Sequence, residues 1–239
     1  MMQIQSQLSQ LQLHGMSRSW QALLETRKCH ELSLSEGLEL LLQAEENERK
    51  ERKFRRLQRN AFFRYQASIE ELQPGSARGL DKSLLNRLAT GEYLIKGESI
   101  LISGATGAGK SFLASALGHQ ACAQGYSVAY FNVAKLLLKT KMARVDGSLI
   151  KFFEKLSKTR LLILDDFGLT PLEAGQRLDL MEMIEDRHAR ASTIIASQLP
   201  ISSWYEVIGE ATIADAILDR LLHTSYRIEL KGESLRKKH

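Results

Sequence analysis

The fold is decided by one stretch of this sequence, Gly104-Ala105-Thr106-Gly107-Ala108-Gly109-Lys110-Ser111. The stretch fits the pattern G-x-x-x-x-G-K-[ST], and it stands between an apolar run at 99–103 and a helix-forming run at 112–117. Glycines at this spacing let backbone N–H groups converge on phosphate oxygens, and the amino end of the following helix adds partial positive charge. The pattern therefore predicts a phosphate-binding loop. The alternative is a glycine-rich turn in an unrelated α/β fold.

The chemistry of such a loop assigns roles to its last two residues. Lys110 is predicted to reach the β- and γ-phosphates of a nucleotide, and the Ser111 hydroxyl is predicted to ligate Mg²⁺. ATP and Mg²⁺ are therefore the predicted cofactors. The predicted nucleotide-binding residues are Gly104, Ala105, Thr106, Gly107, Ala108, Gly109, Lys110, Ser111 and Phe112.

A second motif supplies the carboxylates that such a site needs at the end of a neighbouring strand. Asp165 and Asp166 follow the apolar run Leu161–Leu164, 55 residues after Lys110. Asp165 is predicted to hold Mg²⁺, directly or through water, and Asp166 is predicted to polarise the attacking water. The alternative is a pair of acids that cap a strand before a turn. Ser197, at the end of a further apolar run, could orient the same water.

Short apolar runs alternate with helix-forming stretches after residue 74. The predicted strands are Ser99–Ser103, Val128–Phe131, Leu161–Leu164, Thr193–Ala196 and Tyr226–Leu230. Four of these runs are almost entirely apolar, which is typical of strands buried on both faces of a parallel sheet. The fifth alternates more and is predicted to be an edge strand. We therefore predict an α/β domain of three layers with a five-stranded, mainly parallel sheet.

The sequence before residue 74 predicts a small all-α domain. No Gly or Pro interrupts the chain between Leu38 and Gln73, and apolar residues recur there at helical spacing, so we expect one long helix or two closely linked ones. Ser33 and Glu36 have the spacing of a capping box ahead of it. The break that follows Gln73 is the predicted boundary between an N-terminal domain at 1–73 and a phosphate-binding domain at 74–239.

Composition limits the class of protein. The 239 residues are 44% apolar and 26% charged, which excludes wholesale disorder. Two cysteines are too few for a disulfide framework or a thiolate metal cluster, so a reducing, cytoplasmic location is expected. No apolar run approaches the roughly 18–20 residues of a membrane span, the first residues do not read as a signal peptide, and no membrane partner is expected. The net charge of +5 permits an acidic partner such as nucleic acid.

With these motifs in place, the chain resembles AAA+ ATPases, and within them the IstB family of transposition helper proteins and the related DnaC-type helicase loaders. The resemblance runs from end to end. It rests on Gly104–Ser111, Leu161–Gly168, Thr193–Pro200, Ala214–Leu221 and, for IstB in particular, Tyr226–Arg236. It implies an AAA+ fold and subunits that share their ATP sites in a homo-oligomer.

The resemblance also implies roles for single residues. Arg220 matches the arginine finger that reaches the γ-phosphate of a neighbouring subunit, and Arg236 matches a sensor arginine that contacts nucleotide in its own subunit. Ser197 falls at the first sensor position. From the residues alone, Arg220 could instead pair with Asp215 or Asp219 on a helix surface. Many AAA+ motors carry Asp-Glu where this chain has two aspartates, which favours a slow ATP-timed switch over a fast motor.

Two basic regions compete as DNA-binding sites. The first, on the predicted N-terminal helix, holds Arg49, Lys50, Arg52, Lys53, Arg55, Arg56, Arg59 and Arg64, of which we take Arg49, Arg52, Lys53 and Arg56 as candidate contacts. The second holds Lys135, Lys139, Lys141 and Arg144, where related AAA+ proteins carry a helical insertion that meets DNA. In both cases the alternative is an ordinary solvated helix face.

The function implied is an ATP-dependent, DNA-binding ATPase that assembles on double-stranded target DNA and recruits or activates the transposase of its insertion sequence. The N-terminal domain would contact that partner. A DnaC-like loader of a replicative helicase would share nearly every motif and differ in the partner of residues 1–73. A P-loop kinase for a small metabolite is a further alternative, and it would act without subunit contacts.

Overall fold

The structure is a computed structural model that describes residues 2–232, and the chain divides between Arg56 and Leu57 into two compact units. The helices are α1 Met2–Gln10, α2 His14–Glu25, α3 Leu34–Ala61, α4 Lys82–Ala89, α5 Glu92–Lys96, α6 Lys110–Ala123, α7 Val133–Val145, α8 Leu149–Ser157, α9 Ala174–Arg187, α10 Trp204–Ile208 and α11 Ala211–Leu222. The strands are β1 Ser99–Gly104, β2 Val128–Asn132, β3 Leu161–Phe167, β4 Ser192–Ser197 and β5 Ser225–Leu230. Short 3₁₀ turns lie at Lys28–His30, Ser76–Arg78 and Ile201–Ser203.

The five strands form one parallel sheet in the order β2-β3-β4-β1-β5. Every predicted strand is confirmed, with ends extended by up to three residues. Strands β1 and β4 are almost completely buried, which explains their continuous apolar sequence. Strand β5 lies at an edge, as its alternating sequence predicted, and its side chains alternate between exposed and buried from Arg227 onward.

Helices cover both faces of the sheet, as a parallel sheet requires. Helix α6 packs on the face that includes Ile163, whose side chain lies beside Gly118. On the other face, Leu162 and Leu164 join a large apolar core with residues of α7 to α11. This three-layer arrangement brings the carboxyl ends of β1, β3 and β4 to one edge, where the phosphate-binding loop and the paired aspartates follow their strands.

The first unit, residues 1–56, contains α1, α2 and most of α3. The capping box at the start of α3 is confirmed, because the Ser33 backbone N–H donates to the Glu36 carboxylate at 2.8 Å and the Glu36 N–H donates to the Ser33 hydroxyl at 3.3 Å. The buried Glu45 carboxylate accepts hydrogen bonds from the N–H groups of Gly15 and Met16 in the first turn of α2. Glu45 therefore caps α2 from α3 and stabilises this unit.

Helix α3 ends at Ala61, so the prediction of helix up to Gln73 is wrong. Phe62 has a left-handed φ of 57°, which turns the chain, and the Phe63 ring then packs 4.1 Å from the ring of His119 on α6. Tertiary contact therefore ends this helix, without a glycine or a proline. The same contact holds the segment after α3 against α6 within the second unit, which begins at Leu57, earlier in the chain than the break after Gln73.

No helix in the described part of the chain is long and apolar enough to cross a membrane.

Candidate nucleotide-binding site

The phosphate-binding loop connects β1 to α6 as predicted. Gly107 and Gly109 have φ values of 84° and 98°, a conformation that glycine adopts without steric cost and that turns successive N–H groups toward one point. The Lys110 ammonium donates to the carbonyl oxygens of Gly104 and Ala105 at 2.7 and 2.8 Å, so the side chain lies along the loop at the amino end of α6. The loop thus presents backbone donors and a cation to the same space.

Asp165, at the carboxyl end of β3, is bound to the loop through Ser111. The Ser111 hydroxyl donates to Asp165 Oδ1 at 2.9 Å, and the Tyr130 hydroxyl donates to Asp165 Oδ2 at 2.5 Å. Arg64 also donates to Oδ2, at 3.1 Å. The Asp165 side chain is buried, and three donor atoms therefore fix a carboxylate that the sequence had assigned to Mg²⁺. Burial and the neighbouring Asp165 charge together raise the pKa of Tyr130, so its hydroxyl remains a donor.

Asp166 lies in the same cluster and is more accessible than Asp165. Asn132, the last residue of β2, donates to Asp166 Oδ2 at 2.9 Å, and Arg64 donates to the same oxygen at 3.0 Å. Asp166 has a left-handed φ of 59°, which is uncommon for a residue other than glycine and tolerated best by Asp and Asn. The pairing of β3 with β4 is irregular between Leu164 and Phe167, and such strained positions occur where a side chain is held for function.

The donor set of this cluster fits Mg²⁺. Ser111 and Asp165 offer oxygen ligands 2.9 Å apart, and Mg²⁺ in nucleotide sites is held by one or two such protein oxygens together with phosphates and waters. Within residues 2–232, no group of three or more His, Cys, Asp and Glu side chains could hold a metal alone. Phosphates and waters would supply the remaining ligands.

A cleft of about 810 Å³ opens beside the loop, large enough for a nucleotide. Its walls contain the loop, Asp166 and a set of residues from the segment before β1. The latter are Arg64, Tyr65, Glu71, Leu72, Gln73, Arg78 and Leu80. The sequence did not single out this segment as part of the site.

Ser197 lies at the end of β4 as predicted, but its hydroxyl is engaged within the fold. It donates to the Phe167 carbonyl at 2.8 Å and accepts from the Leu199 N–H at 3.0 Å, and the residue is completely buried. The next residue, Gln198, accepts from the Thr106 hydroxyl of the phosphate-binding loop at 2.7 Å. Gln198 is therefore the polar side chain of this strand end that contacts the loop.

Arg220 lies far from the phosphate-binding loop of its own chain. It is on α11, beside Ser99 at the amino end of β1, whereas the loop follows the carboxyl end of that strand. The Arg220 guanidinium forms an ion pair with Glu185 of α9 and donates to the Ala216 carbonyl, so neither Asp215 nor Asp219 is its partner. Arg236 lies outside the described residues.

The candidate DNA contacts are exposed in both regions, but they differ in their partners. On α3, Arg49 and Arg52 pair with Glu45. On α7, Arg144 pairs with Asp179, and the Lys139 ammonium lies 5.5 Å from the centroid of the Phe152 ring. The candidates without an ion pair to any of residues 2–232 are Lys53 and Arg56 on α3 and Lys135, Lys139 and Lys141 on α7.

Sequence reasoning missed three residues of the carboxylate cluster: Arg64, Tyr130 and Asn132. Asn132 could have been found, because it directly follows the apolar run of β2 and so ends at the same sheet edge as Asp165. Tyr130 is part of that run and looked like a core residue. Arg64 was counted with the basic helix surface, because nothing in the local sequence shows that α3 stops at Ala61.

Comparison with known proteins supports ATP binding. Residues 6–239 match the model of one protein family, described as IstB-like ATP binding protein. The chain belongs to this family. The insertion sequence ATP-binding protein y4pL of Sinorhizobium fredii is 45% identical to this IstB-like chain over 230 residues, covering 96% of the chain and 94% of the relative. The IS21 ATP-binding protein of Pseudomonas aeruginosa is 31% identical over 231 residues, covering 97% and 87%.

Solved structures show the fold of the second unit. The DnaC helicase loader matches with a TM-score of 0.58 at 19% identity, over 70% of this chain and 98% of that one. AMPPCP-bound DnaA from Aquifex aeolicus matches with a TM-score of 0.60 at 19% identity, over 72% of this chain and 52% of that one. The IstB-like chain is thus an ATP-binding protein with the AAA+ fold of the DnaC and DnaA domains.

Proposed function

We propose that this IstB-like protein is an ATPase that assembles on double-stranded DNA in its ATP-bound state and recruits and activates the transposase of the same insertion sequence. The observation that carries the proposal is the connected cluster of Ser111, Asp165 and Asp166 beside the phosphate-binding loop. A chain that only bound nucleotide would not need a second, accessible carboxylate held at this point by Asn132.

In this proposal each residue of the site has one task. Lys110 and the loop N–H groups neutralise phosphate charge, and Ser111 and Asp165 hold Mg²⁺, which would offset the charge on the β- and γ-phosphates. Asp166 accepts a proton from the attacking water and orients it. Gln198, rather than the bonded Ser197, contacts the loop at the end of β4 and is the polar side chain assigned to that position.

The proposal includes an oligomer with shared sites. Arg220 cannot contribute to the nucleotide site of its own subunit, because it lies at the opposite end of β1. Its guanidinium is partly exposed at the domain surface, where a neighbour's γ-phosphate could approach it. A finger from the next subunit would make hydrolysis depend on assembly.

Helix α7 is our choice for the DNA contact. Its three lysines are exposed and, among the described residues, carry no ion pair, and only Lys139 has aromatic rings, those of Phe131 and Phe152, beside its ammonium group. On α3, in contrast, Arg49 and Arg52 already share Glu45. Such contacts read the backbone and not the bases, so affinity should vary little with sequence and fall steeply with salt.

The first unit is assigned to the protein partner. Leu34, Leu38 and Leu42 on α3 follow each other at intervals of four residues, and all three are more than half exposed. Residues at this spacing lie on one face of a helix, so they form an apolar stripe available to another protein. The similarity to insertion sequence proteins favours a transposase over a replicative helicase as that partner.

Filter binding of duplex DNA at several salt concentrations tests the DNA-binding proposal. With a non-hydrolysable ATP analogue, binding should tighten, and the combined variant Lys135→Ala, Lys139→Ala and Lys141→Ala should reduce the slope of log affinity against log salt by up to about 3, near one for each lost phosphate contact. The matched control is the combined variant Arg52→Ala, Lys53→Ala and Arg56→Ala. A DNA affinity that changes with neither nucleotide nor salt would refute the proposal. If only the control variant loses DNA affinity, the DNA-binding site is on α3.

A further inference from the structure

Arg64 contacts both carboxylates of the nucleotide site. A single nitrogen, Nη1, lies 3.1 Å from Asp165 Oδ2 and 3.0 Å from Asp166 Oδ2. The role assigned above to each carboxylate makes no use of this arginine. Its position therefore needs an explanation of its own.

The segment that carries Arg64 is anchored on both sides to α6. Before it, the Phe63 ring packs on His119, and Gln58, in the last turn of α3, contacts His119 Nδ1 at 2.7 Å. After it, the Tyr65 carbonyl oxygen lies 3.1 Å from His119 Nε2. Gly118 makes room for this contact, because a Cβ there would come within 2.4 Å of the Phe63 ring. The guanidinium is thus held at the carboxylates from a fixed base that continues directly from α3.

Arg64 and a metal ion would draw on the same negative charge. Asp165 accepts a hydrogen bond from Ser111 at Oδ1 and from Arg64 at Oδ2. A divalent cation held by Ser111 and Asp165 would therefore lie within a few ångströms of the guanidinium. Like charges at such distances repel strongly in a partly buried site, where solvent screening is weak. Because coupling between two ligands of one site is reciprocal, whatever strengthens the Arg64 contact must weaken metal binding by the same factor.

We propose that Arg64 is a positioning residue that competes with Mg²⁺ for Asp165 and Asp166 and is displaced from them when Mg²⁺ and nucleotide bind. This inference rests on the proposed function of the site. Because the segment that carries Arg64 is anchored to α6, the displacement is expected in the Arg64 side chain and not in the backbone around it.

The test is a Mg²⁺ titration of the full chain at a fixed concentration of a fluorescent, non-hydrolysable ATP analogue. The variant Arg64→Gln removes the charge and keeps a polar, though shorter, side chain. It should reach half-saturation at a Mg²⁺ concentration about fivefold or more below that of the wild type. Arg59→Gln is the matched control, since Arg59 is an exposed arginine of α3 without an ion pair to any described residue, and its Mg²⁺ requirement should equal that of the wild type.

Thermal melting gives a second readout that does not depend on turnover. In EDTA without nucleotide, Arg64→Gln should melt below the wild type, because two carboxylates lose their shared cation, and the difference should shrink when Mg²⁺ and the analogue are added. A merely structural arginine would behave differently, since its loss would raise the Mg²⁺ requirement or leave it unchanged. Either of those results overturns the inference.

If Arg64→Gln does not fold, Arg64→Lys decides. Lysine keeps the charge on a shorter side chain that cannot bridge both carboxylates as well, so its Mg²⁺ requirement should lie below that of the wild type. An equal or higher requirement overturns the inference. Failure of the proposed function would appear separately, as a wild-type protein that shows no Mg²⁺-dependent binding of the analogue at all.

Discussion

Arg220 offers the sharpest test of shared ATP sites, because the fold separates it from the phosphates of its own chain. It lies beside Ser99, and the phosphate-binding loop begins at Gly104. Ser99 and Gly104 are the first and last residues of the six-residue strand β1, so their Cα atoms are roughly 17 Å apart at about 3.3 Å per residue. An extended arginine side chain covers less than half of that distance. Any effect of Arg220 on phosphate chemistry must therefore come from a neighbouring subunit.

The magnitude follows from how such sites are composed. Loss of an arginine finger lowers turnover by roughly 10³–10⁵ in other P-loop enzymes, so Arg220→Ala should bind ATP and hydrolyse almost none. Lys110→Ala should also be inactive, for lack of nucleotide. In an equal, random mixture, an interface has an intact Lys110 on one side and an intact Arg220 on the other in about one quarter of cases. A phosphate-release assay should therefore recover about a quarter of wild-type activity from two inactive proteins.

The ion pair with Glu185 supplies the control. Glu185→Gln removes the partner of Arg220 and keeps the arginine, and because Glu185 is about half exposed, the pair itself adds little to stability. This variant should therefore hydrolyse ATP at close to the wild-type rate. If it falls as far as Arg220→Ala, the arginine is structural. Light scattering would show whether the two variants co-assemble. If co-assembled mixtures hydrolyse ATP no faster than the mean rate of the two inactive proteins, the shared site is refuted.

Three further predictions follow from single contacts. Lys110→Ala should abolish binding of a fluorescent nucleotide, whereas Asp166→Asn should bind the nucleotide normally and release no phosphate. Asparagine tolerates the left-handed backbone of position 166, so the variant should fold. Normal turnover by Asp166→Asn would contradict the role assigned to Asp166. Gly118→Ala should lower the melting temperature by roughly 2–10 °C, because its Cβ would overlap the Phe63 ring at a cost of about 1–3 kcal/mol. The control, Gly37→Ala on the open face of α3, should raise the melting temperature slightly. Equal shifts in the two variants would show that the Phe63 contact is loose. Glu45→Ala should speed amide hydrogen exchange in residues 2–56, because it leaves the N–H groups of Gly15 and Met16 without their acceptor at a cost of about 1–3 kcal/mol. Unchanged exchange rates would contradict the capping role of Glu45.

The features that could be predicted from the sequence are those fixed by local chemistry. The phosphate-binding loop follows from the spacing of glycines and a lysine, and the buried strands follow from apolar runs. The capping box at Ser33 and Glu36 depends on four consecutive residues. The edge position of β5 follows from its alternation, because only a strand with a solvated side places charged residues such as Arg227 and Glu229 between buried ones.

The features that escaped prediction depend on residues distant in the chain. Helix α3 ends where Phe63 meets His119, and no local breaker marks that point. Ser197 and Gln198 are adjacent, and only the bond from Ser197 to the Phe167 carbonyl decides which of them contacts the loop. Arg64 is one of eight cations in a basic stretch, and it alone follows the turn that carries it to the carboxylates. Such assignments require the folded chain.

Asn132 connects Asp166, the carboxylate that we assign to hydrolysis, to the helix that we assign to DNA. Its side-chain oxygen accepts from the Lys135 N–H at 3.3 Å and so caps α7, while its side-chain nitrogen donates to Asp166 at 2.9 Å. One rigid amide therefore serves both groups, and a displacement of α7 toward DNA phosphates would pull on the donor that holds Asp166. Since coupling between two binding sites is reciprocal, a protein that binds DNA more tightly when ATP is present must also bind ATP more tightly when DNA is present. Arg64 holds the same Asp166 oxygen from the side of α3, so the position of this carboxylate depends on both helices.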